Sequence, residues 1–419
     1  MRALSRWPST AAIRYGALIA GMLLGNIGVW IHRVSQIWLA MSLSATPGKS
    51  LSYVIIAQTV PSVLLAIVGG VLADKVRKGR LIIFSQGFQL ALTLILGVLT
   101  LSNHITSFHI IIIALLFGAT IALETPARQT ILSEFLPEDR VKQAVAINTT
   151  IYSVSRVVGP AIAGALIATF GVGTSFLLNI ISYLSLIGAV YYSGALSHKT
   201  FNYPAFHVGS ETVAFLKRQH ALLIILLAFS VMSCFGFNFQ MTIGLIAKLE
   251  FSNDASLYGL LSSLLAVGAL ASSLITLKYN VVSAPIALIS VIIFGATLLI
   301  SGNISSHSFF AGSLVAVGFF ATVAYTLLST YIQTSSPQHI RGRIVSLSNA
   351  LNTGSVPLGV IALGYFSDYY GAQYTFIFGG AIVAIFAALL LLPWSLWSER
   401  ISGAALEPNQ TSDKVKNSE

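Results

Sequence analysis

Long apolar runs separated by short polar breaks dominate this sequence. We identify twelve of them, each comparable to the roughly 20 residues that an α-helix needs to cross a bilayer. They lie near 15–44, 52–73, 81–101, 108–132, 143–170, 173–193, 220–247, 256–277, 284–301, 308–333, 344–366 and 373–393. Lipid offers the backbone no hydrogen-bond partners, so a spanning segment must satisfy its own peptide groups as a helix. The sequence predicts an all-α membrane protein with twelve transmembrane helices.

Composition argues against other classes of protein. Of the 419 residues, 55% are hydrophobic and 9% charged, whereas soluble proteins have roughly 25% charged residues. The formal net charge is +10, but the basic residues are scattered between apolar runs, which does not favour nucleic-acid binding. Cys234 is the single cysteine, and the sequence has no metal-binding or hydrolase motif. We expect no enzymatic activity, no cofactor and no metal.

The longest polar interruption divides the chain into two halves of six spans. The predicted units are an N-terminal six-helix bundle at 1–193, a cytoplasmic linker at 194–219, a C-terminal six-helix bundle at 220–393 and a disordered cytoplasmic tail at 394–419. An internal repeat supports this division, because a shift of 200 residues superposes Pro137 on Pro337, Gly159 on Gly359, Gly164 on Gly364, Gly171 on Gly371 and Phe176 on Phe376. Duplicated units of this kind occur in transporters that rock about a site at the membrane midplane.

Lysine and arginine indicate the orientation of the chain in the membrane. If the N-terminus is cytoplasmic, eighteen of the 23 basic residues fall on that side and only Lys49 and Lys248 on the other, with three arginines inside spans. Cytoplasmic loops carry such an excess of positive charge. We predict a multi-pass protein of the cell inner membrane with both termini in the cytoplasm.

One loop and several longer segments carry a family resemblance. The segment GGVLADKVRKGR at 69–80 resembles the signature loop of the major facilitator superfamily, although Arg77 replaces a usual glycine and the loop near Lys278 has no copy. Other segments resemble the branch that includes the enterobactin exporter and macrolide efflux proteins: GNIGVWIHRVSQIWL, ALETPARQTILSEFLP, RVVGPAIAG, and RGRIVSLSNALN with the PLG after it. The resemblance implies two pseudo-symmetric bundles, alternating access and export driven by the proton gradient.

Two groups of residues are candidates for gating, and both have a simpler alternative. They are Gly70, Asp74, Lys75 and Arg77 in the signature loop, and Gly159, Pro160 and Gly164 in the fifth span. The segment GPAIAG resembles the glycine-proline motif of antiporters, which implies export. Glycines let helix backbones approach closely, and Asp74 could face the positive N-terminus of a helix in the other half. Ordinary helix packing and a solvated basic loop remain open as alternatives.

Glu124 is the candidate for proton coupling. It is the one acidic residue of 13 that falls clearly inside a predicted span, and Arg128 follows one helical turn later. Ionisable groups within membranes are costly and tend to face a cavity or a partner. We predict that Glu124 carries the proton and that Arg128 couples its charge to conformation. A fixed ion pair that only holds the fourth helix is equally consistent with the sequence.

The candidates for substrate binding come from both halves. They are Asn26, Trp30 and Arg33 on one face of the first span, His32 and Gln36 on its neighbouring edge, Arg156 near the midplane and Asn238 in the second half. We expect the first-span face and the three charged residues Arg33, Arg156 and Glu124 to share one central cavity. Structural roles remain open: a salt bridge or carbonyl contact for Arg156, an ordinary interior histidine for His32, and packing for Asn238.

The charge inside the spans favours an anionic substrate. Three arginines, Arg33, Arg128 and Arg156, stand against the single Glu124, and a pump for lipophilic cations would need buried carboxylates. We predict a monomeric proton-coupled exporter of a small amphipathic molecule, anionic or siderophore-like, with substrate, protons and the lipid bilayer as its partners. The alternatives are a multidrug or macrolide efflux pump, an importer of siderophore or lysophospholipid, and a non-transporting receptor.

Overall fold

The computed structural model describes residues 9–136, 140–195, 215–251, 254–276 and 282–392. All regular elements in these ranges are helices. The first half contains α1 (Ser9–Ser42), α2 (Pro47–Leu64), α3 (Ala66–Lys75), α4 (Lys78–Leu101), α5 (Ser107–Thr130), a 3-10 turn (Ile131–Phe135) and α6 (Val141–Ser193). The second half contains α7 (His220–Val231), a π-helical turn (Met232–Gly236), α8 (Phe239–Leu249), α9 (Ala255–Thr276), α10 (Ala284–Gly302), α11 (His307–Thr334), α12 (Arg341–Tyr370) and α13 (Tyr374–Leu391).

These helices make twelve crossings, as the sequence predicts. Ten helical stretches in the described ranges are long and apolar enough to span a membrane. One of them is α6, whose 53 residues would measure about 80 Å as a single rod, so it crosses twice and turns at Gly171. There φ is +79°, a backbone conformation that glycine adopts without strain. The pair α2 and α3, at Pro47–Lys75, supplies the remaining crossing, and the all-α, twelve-span prediction is confirmed.

Short polar contacts join the two bundles at one membrane face. We call the face where α1 begins the basic face, because Lys75, Arg77 and Arg80 are exposed there; the other is the opposite face. At the opposite face the Asp368 carboxylate accepts hydrogen bonds from the backbone N–H groups of Gly48 and Lys49, at 2.8 and 3.0 Å. These bonds connect the end of α12 to the start of α2.

Two further contacts strengthen this closure. The Ser52 hydroxyl on α2 donates to the Val360 carbonyl on α12 at 2.7 Å, and the Lys248 ammonium donates to the Ser42 hydroxyl at 2.6 Å. All these partners lie near the opposite face, and each pair joins one half to the other. The closed end of the molecule is therefore the opposite face.

Some predicted features lie outside the described residues. The tail at 394–419, most of the linker at 194–219 and Pro137 of the repeat belong to this group. The linker and tail therefore stay predictions. The matched glycines Gly171 and Gly371 both adopt positive φ, at +79° and +104°, and end the fifth and eleventh spans at equivalent places.

Candidate substrate cavity and buried carboxylate

A cavity of about 660 Å³ lies between the two bundles. The first half lines it with residues of α1, α2 and α6, and the second half with the 237–243 segment, α9, α11 and α12. Its wall reaches Thr149, about two turns into α6, and Ser273, near the end of α9. Both positions are close to the basic face, so the cavity extends from the interior toward that face and away from the closed end.

One wall of the cavity is positively charged. Arg33 and Arg156 both line it, and the Arg33 guanidinium lies 5.3 Å from the centroid of the Trp30 ring. Trp30 packs directly on α6, because a Cβ added at Gly159 would come within 2.5 Å of the Trp30 Cβ. The described lining residues include no aspartate or glutamate. Two cations without a facing carboxylate in a space of low polarity attract an anion.

The other wall is aromatic and neutral. Phe237 and Phe239 line it beside Tyr325, with the Phe237 ring 5.9 Å from Phe239 and 6.1 Å from Tyr325. Asn238 lies between the two phenylalanines, just after the π-helical turn, and its Nδ2 donates to the Cys234 carbonyl at 2.5 Å. A ligand with an anionic end and an apolar body would match both walls.

The structure brings four of the predicted substrate residues together and leaves three away from the cavity. Trp30, Arg33, Arg156 and Asn238 line it, whereas Asn26, His32 and Gln36 are not among its lining residues. Helix geometry explains the position of His32, since successive residues on α1 are turned by about 100°. His32 therefore faces the interior of the N-terminal bundle when Arg33 faces the cavity.

The three residues away from the cavity have local surroundings of their own. His32 is fully buried, its ring stacks on Phe117 with centroids 4.0 Å apart, and its Nδ1 lies 3.1 Å from the Thr93 hydroxyl. The Asn26 amide donates to the carbonyl of Met22 at 3.0 Å. Gln36 is 2% exposed. His32 thus packs α1 on α5, whereas the Asn26 bond lies within α1 itself.

Glu124 lies in a separate polar cluster inside the N-terminal bundle. It is 2% exposed and accepts from Gln86 Nε2 at 2.9 Å on each carboxylate oxygen. Gln89 Nε2 donates to its Oε2 at 3.0 Å, and Arg128 Nη1 lies 3.5 Å from Oε1. Glu124 is not a cavity residue. The expectation of one pocket shared by Glu124, Arg33 and Arg156 thus differs from the structure, because Glu124 on α5 points toward α4.

A glycine on the neighbouring helix makes room for this cluster. A Cβ at Gly25 of α1 would come within 2.6 Å of Arg128 Nη2. Sequence reasoning missed Gln86 and Gln89, although a signal existed. With Thr93 they form a polar stripe at i, i+3 and i+7 in the middle of α4.

The predicted gating residues lie at two places. In the fifth span, a Cβ at Gly164 would come within 2.6 Å of the Ala255 carbonyl, and a Cβ at Gly259 within 2.4 Å of the Pro160 carbonyl. The backbones of α6 and α9 therefore touch across the two halves. In the signature loop, Lys75 and Arg77 are exposed and Gly70 has open space around it. Asp74 lies in α3, and its side chain is outside the described part.

Two six-helix bundles around a central cavity define a membrane transporter of the major facilitator type. The chain belongs to the transmembrane secretion effector family of that superfamily, whose model matches residues 8–416. The resemblance inferred from the sequence motifs is thus confirmed at the level of the family.

Several curated relatives resemble the chain over most of its length. The staphyloferrin A transporter of Staphylococcus aureus is 27% identical over 85% of this chain and 89% of the relative. The multidrug efflux pump Tap of Mycolicibacterium fortuitum is 25% identical over 87% and 90%. Macrolide efflux protein A of Streptococcus pyogenes is 22% identical over 76% and 80%. All three are transporters, which agrees with the expectation that this chain is not an enzyme.

Solved structures share the fold at low sequence identity. A bacterial homologue of the human lysosomal transporter Spinster, inward-facing and occupied, superposes with a TM-score of 0.69 at 13% identity, over 92% of this chain and 97% of the other. The nucleoside transporter NupG superposes with a TM-score of 0.68 at 13% identity, over 91% and 99%. At this identity the similarity concerns the fold alone.

Proposed function

We propose that this protein is a proton-coupled exporter of a small amphipathic anion, acting by alternating access between its two bundles. The observation that carries the proposal is the charge of the cavity. Arg33 and Arg156 face it, and the lining residues described include no carboxylate. A transporter for organic cations would need the opposite arrangement.

The orientation of the chain supports export. Basic loops face the cytoplasm in inner-membrane proteins, which assigns the basic face to the cytoplasm. The cavity extends toward that face, so this conformation is the inward-facing one that loads an exported substrate. The family is described as a secretion effector, and two of the relatives are named as efflux proteins.

The chemistry of the cavity supports a siderophore-like or related anionic metabolite. Arg33 and Arg156 suit carboxylate or catecholate oxygens, since a guanidinium can donate two parallel hydrogen bonds to such groups. Phe237, Phe239 and Asn238 suit the less polar body of the same molecule. The relative named a staphyloferrin A transporter is consistent with this class of substrate.

Proton coupling is assigned to Glu124 and Arg128. Glu124 is buried within the N-terminal bundle with Arg128 at 3.5 Å, and a charge change there alters the packing of α4 on α5. Gating is assigned to two regions. The first is the segment with Gly159, Pro160 and Gly164, where Pro160 and Gly164 form the α6–α9 seam and Gly159 packs on Trp30 of α1. The second is the signature loop with Gly70, Asp74, Lys75 and Arg77.

Transport into inverted membrane vesicles tests the proposal. The probe is the anionic compound that disappears from the medium of a deletion strain, compared with its parent with and without iron limitation. We expect vesicles that are acidified inside to accumulate the compound and Arg156→Gln vesicles to accumulate little. Arg14→Gln vesicles, altered at an exposed arginine outside the cavity and the signature loop, should behave as the native protein. Uptake by intact cells without efflux would contradict export.

A second candidate, multidrug or macrolide efflux, is favoured by the aromatic wall of Phe237, Phe239 and Tyr325. Such a surface accepts apolar molecules of many shapes. If this candidate is correct, the deletion strain keeps its secreted compounds and becomes sensitive to antibiotics. In that case Arg156→Gln leaves resistance unchanged, while Phe237→Ala lowers it.

A further inference from the structure

Two glutamines on α4 surround the carboxylate of Glu124. Gln86 Nε2 lies 2.9 Å from both carboxylate oxygens, and Gln89 Nε2 lies 3.0 Å from Oε2. A side-chain amide nitrogen can only donate hydrogen bonds. Each of these contacts therefore needs an accepting oxygen, which an ionised carboxylate supplies on both of its atoms.

The surroundings of the Gln86 and Gln89 amide groups agree with an orientation in which both nitrogens point at Glu124. Gln86 Nε2 also lies 3.2 Å from Gln89 Oε1, so three oxygens surround the nitrogen. Gln89 Nε2 lies 3.2 Å from the Thr120 hydroxyl, which donates to the Phe117 carbonyl at 2.7 Å. Gln86 Oε1 has no partner among the described residues, and the amide geometry turns it away from Glu124. A proton on the Glu124 carboxyl group would therefore lie against the N–H donors of the two glutamines.

The titratable and charged groups around Glu124 come from each neighbouring helix. They are Arg128 on α5 at 3.5 Å, Tyr183 on α6 within electrostatic range, His32 on α1 against Phe117 and Thr93, and Lys78 on α4, paired with Glu134 at 2.6 Å. Arg128 is the nearest cation and also favours the carboxylate. The glutamines add neutral donors, so their effect can be measured without changing the charge of the site.

We propose that Gln86 and Gln89 are positioning residues for proton coupling, which hold Glu124 as a carboxylate in this conformation and make it the state that releases the proton. This rests on the proton role given to Glu124 in the proposed function. The carboxyl O–H bond breaks, its electron pair stays on the carboxylate, and the proton passes to water at the basic side. Arg128, which is 14% exposed, lies one turn nearer that side.

Infrared titration of the purified full-length protein in lipid nanodiscs tests the proposal. The carboxylic-acid band that is missing in Glu124→Gln reports protonated Glu124. We expect Gln86→Leu and Gln89→Leu each to increase the proton affinity of Glu124 about tenfold or more, so that the band appears about one pH unit higher. Gln58→Leu is the matched control. Gln58 on α2 has a buried Nε2 without a hydrogen-bond partner among the described residues, and it does not contact Glu124.

The outcomes separate this proposal from the proposed function. Native titration in both leucine variants overturns the role of the glutamines, whether or not Glu124→Gln is inactive. Gradient-driven export that persists in Glu124→Gln overturns the proton role of Glu124 itself. If a leucine variant does not yield folded protein, the corresponding methionine variant, Gln86→Met or Gln89→Met, takes its place. Methionine keeps the side-chain length of glutamine without the hydrogen-bond donor.

Discussion

The Asp368 carboxylate at the end of α12 caps the N-terminus of α2, with Oδ1 2.8 Å from the Gly48 nitrogen and Oδ2 3.0 Å from the Lys49 nitrogen. The first N–H groups of a helix lack partners within the helix and carry a partial positive charge. A residue of one bundle thus completes a helix of the other. These bonds must break whenever the opposite face opens.

We expect Asp368→Asn to favour opening of the opposite face. An asparagine keeps one accepting oxygen and loses the charge, which removes about 1.5–3 kcal/mol from the closed state. Ser273→Cys in a Cys234→Ala background places a single cysteine near the basic end of the cavity. In inverted vesicles, a membrane-impermeant thiol reagent should modify this cysteine severalfold more slowly when Asp368→Asn is also present. Asp254→Asn is the control, because Asp254 accepts from the Ser256 nitrogen at 2.8 Å within one bundle. Equal rates for Asp368→Asn and the native protein would contradict this.

Replacement of Gly164 by valine is expected to block the transport cycle. The added carbon would lie 2.6 Å from the Ala255 carbonyl, and a backbone atom cannot move aside cheaply. Helices α6 and α9 would then be held apart. Transport should fall at least tenfold, and the yield of folded protein should fall by a smaller factor. Gly188→Val is the control on the same helix, since nothing lies within 4 Å of a Cβ there. Full transport by Gly164→Val would show that the seam need not close.

Removal of one partner from the buried ion pair between Lys78 and Glu134 is expected to destabilise the N-terminal bundle. The paired atoms are 2.6 Å apart and the side chains are 5% and 8% exposed. Removal of one partner leaves a buried charge uncompensated, which costs about 3–5 kcal/mol. Lys78→Met should lower the thermal unfolding midpoint in detergent, and Lys78→Met with Glu134→Leu should recover most of the loss. The prediction fails if the single and double variants unfold at the same temperature.

Arg33→Gln is expected to weaken substrate binding without unfolding the protein. Loss of one hydrogen-bonded charge pair costs about 1.5–3 kcal/mol, which is roughly a tenfold to hundredfold weaker Kd. Isothermal titration calorimetry with the secreted compound measures this change. The methyl ester of that compound lacks the anionic group, so it should bind the native protein and Arg33→Gln with equal affinity. An ester that still prefers the native protein would mean that Arg33 acts through packing on Trp30.

Glu124→Gln is expected to uncouple export from the pH gradient. Glutamine has a similar shape and cannot ionise, so the cycle loses its proton step while the cavity is unchanged. Counterflow exchange of substrate in the absence of a gradient should persist, whereas accumulation driven by acidification of inverted vesicles should disappear. Undiminished accumulation would exclude Glu124 as the carrier.

The sequence predicts the helices well because every segment that crosses lipid must satisfy its own backbone hydrogen bonds as a helix. Run lengths place the ends of the twelve spans within about six residues, but they do not show the breaks between α2 and α3 and between α7 and α8. Side-chain direction was harder to predict. Trp30 and Arg33 lie on the cavity as expected, but the His32 ring is buried against Phe117 of α5 and Phe176 of α6. No local pattern on α1 distinguishes the edge with His32 from the face with Trp30 and Arg33.

Contacts between distant segments could not be read from the sequence. Asp368 looks like an ordinary residue at the end of a span, and its role depends on the position of Gly48, 320 residues away. The sequence identifies Glu124 and Arg128 on one helix, but the hydrogen-bond donors Gln86 and Gln89 come from another helix. A search for polar residues at helical spacing in each apolar span would have added Gln86 and Gln89 to the candidates.

The arginine wall also sets a condition on selectivity. In the proposed inward-facing orientation the cavity meets phosphate, chloride and small organic acids of the cytoplasm, and all of these anions are drawn to Arg33 and Arg156. Such ions are strongly hydrated and gain nothing from Phe237 and Phe239. Under the proposed function, discrimination among anions must therefore come from the aromatic wall of the cavity, so the apolar part of the substrate decides which anions are exported.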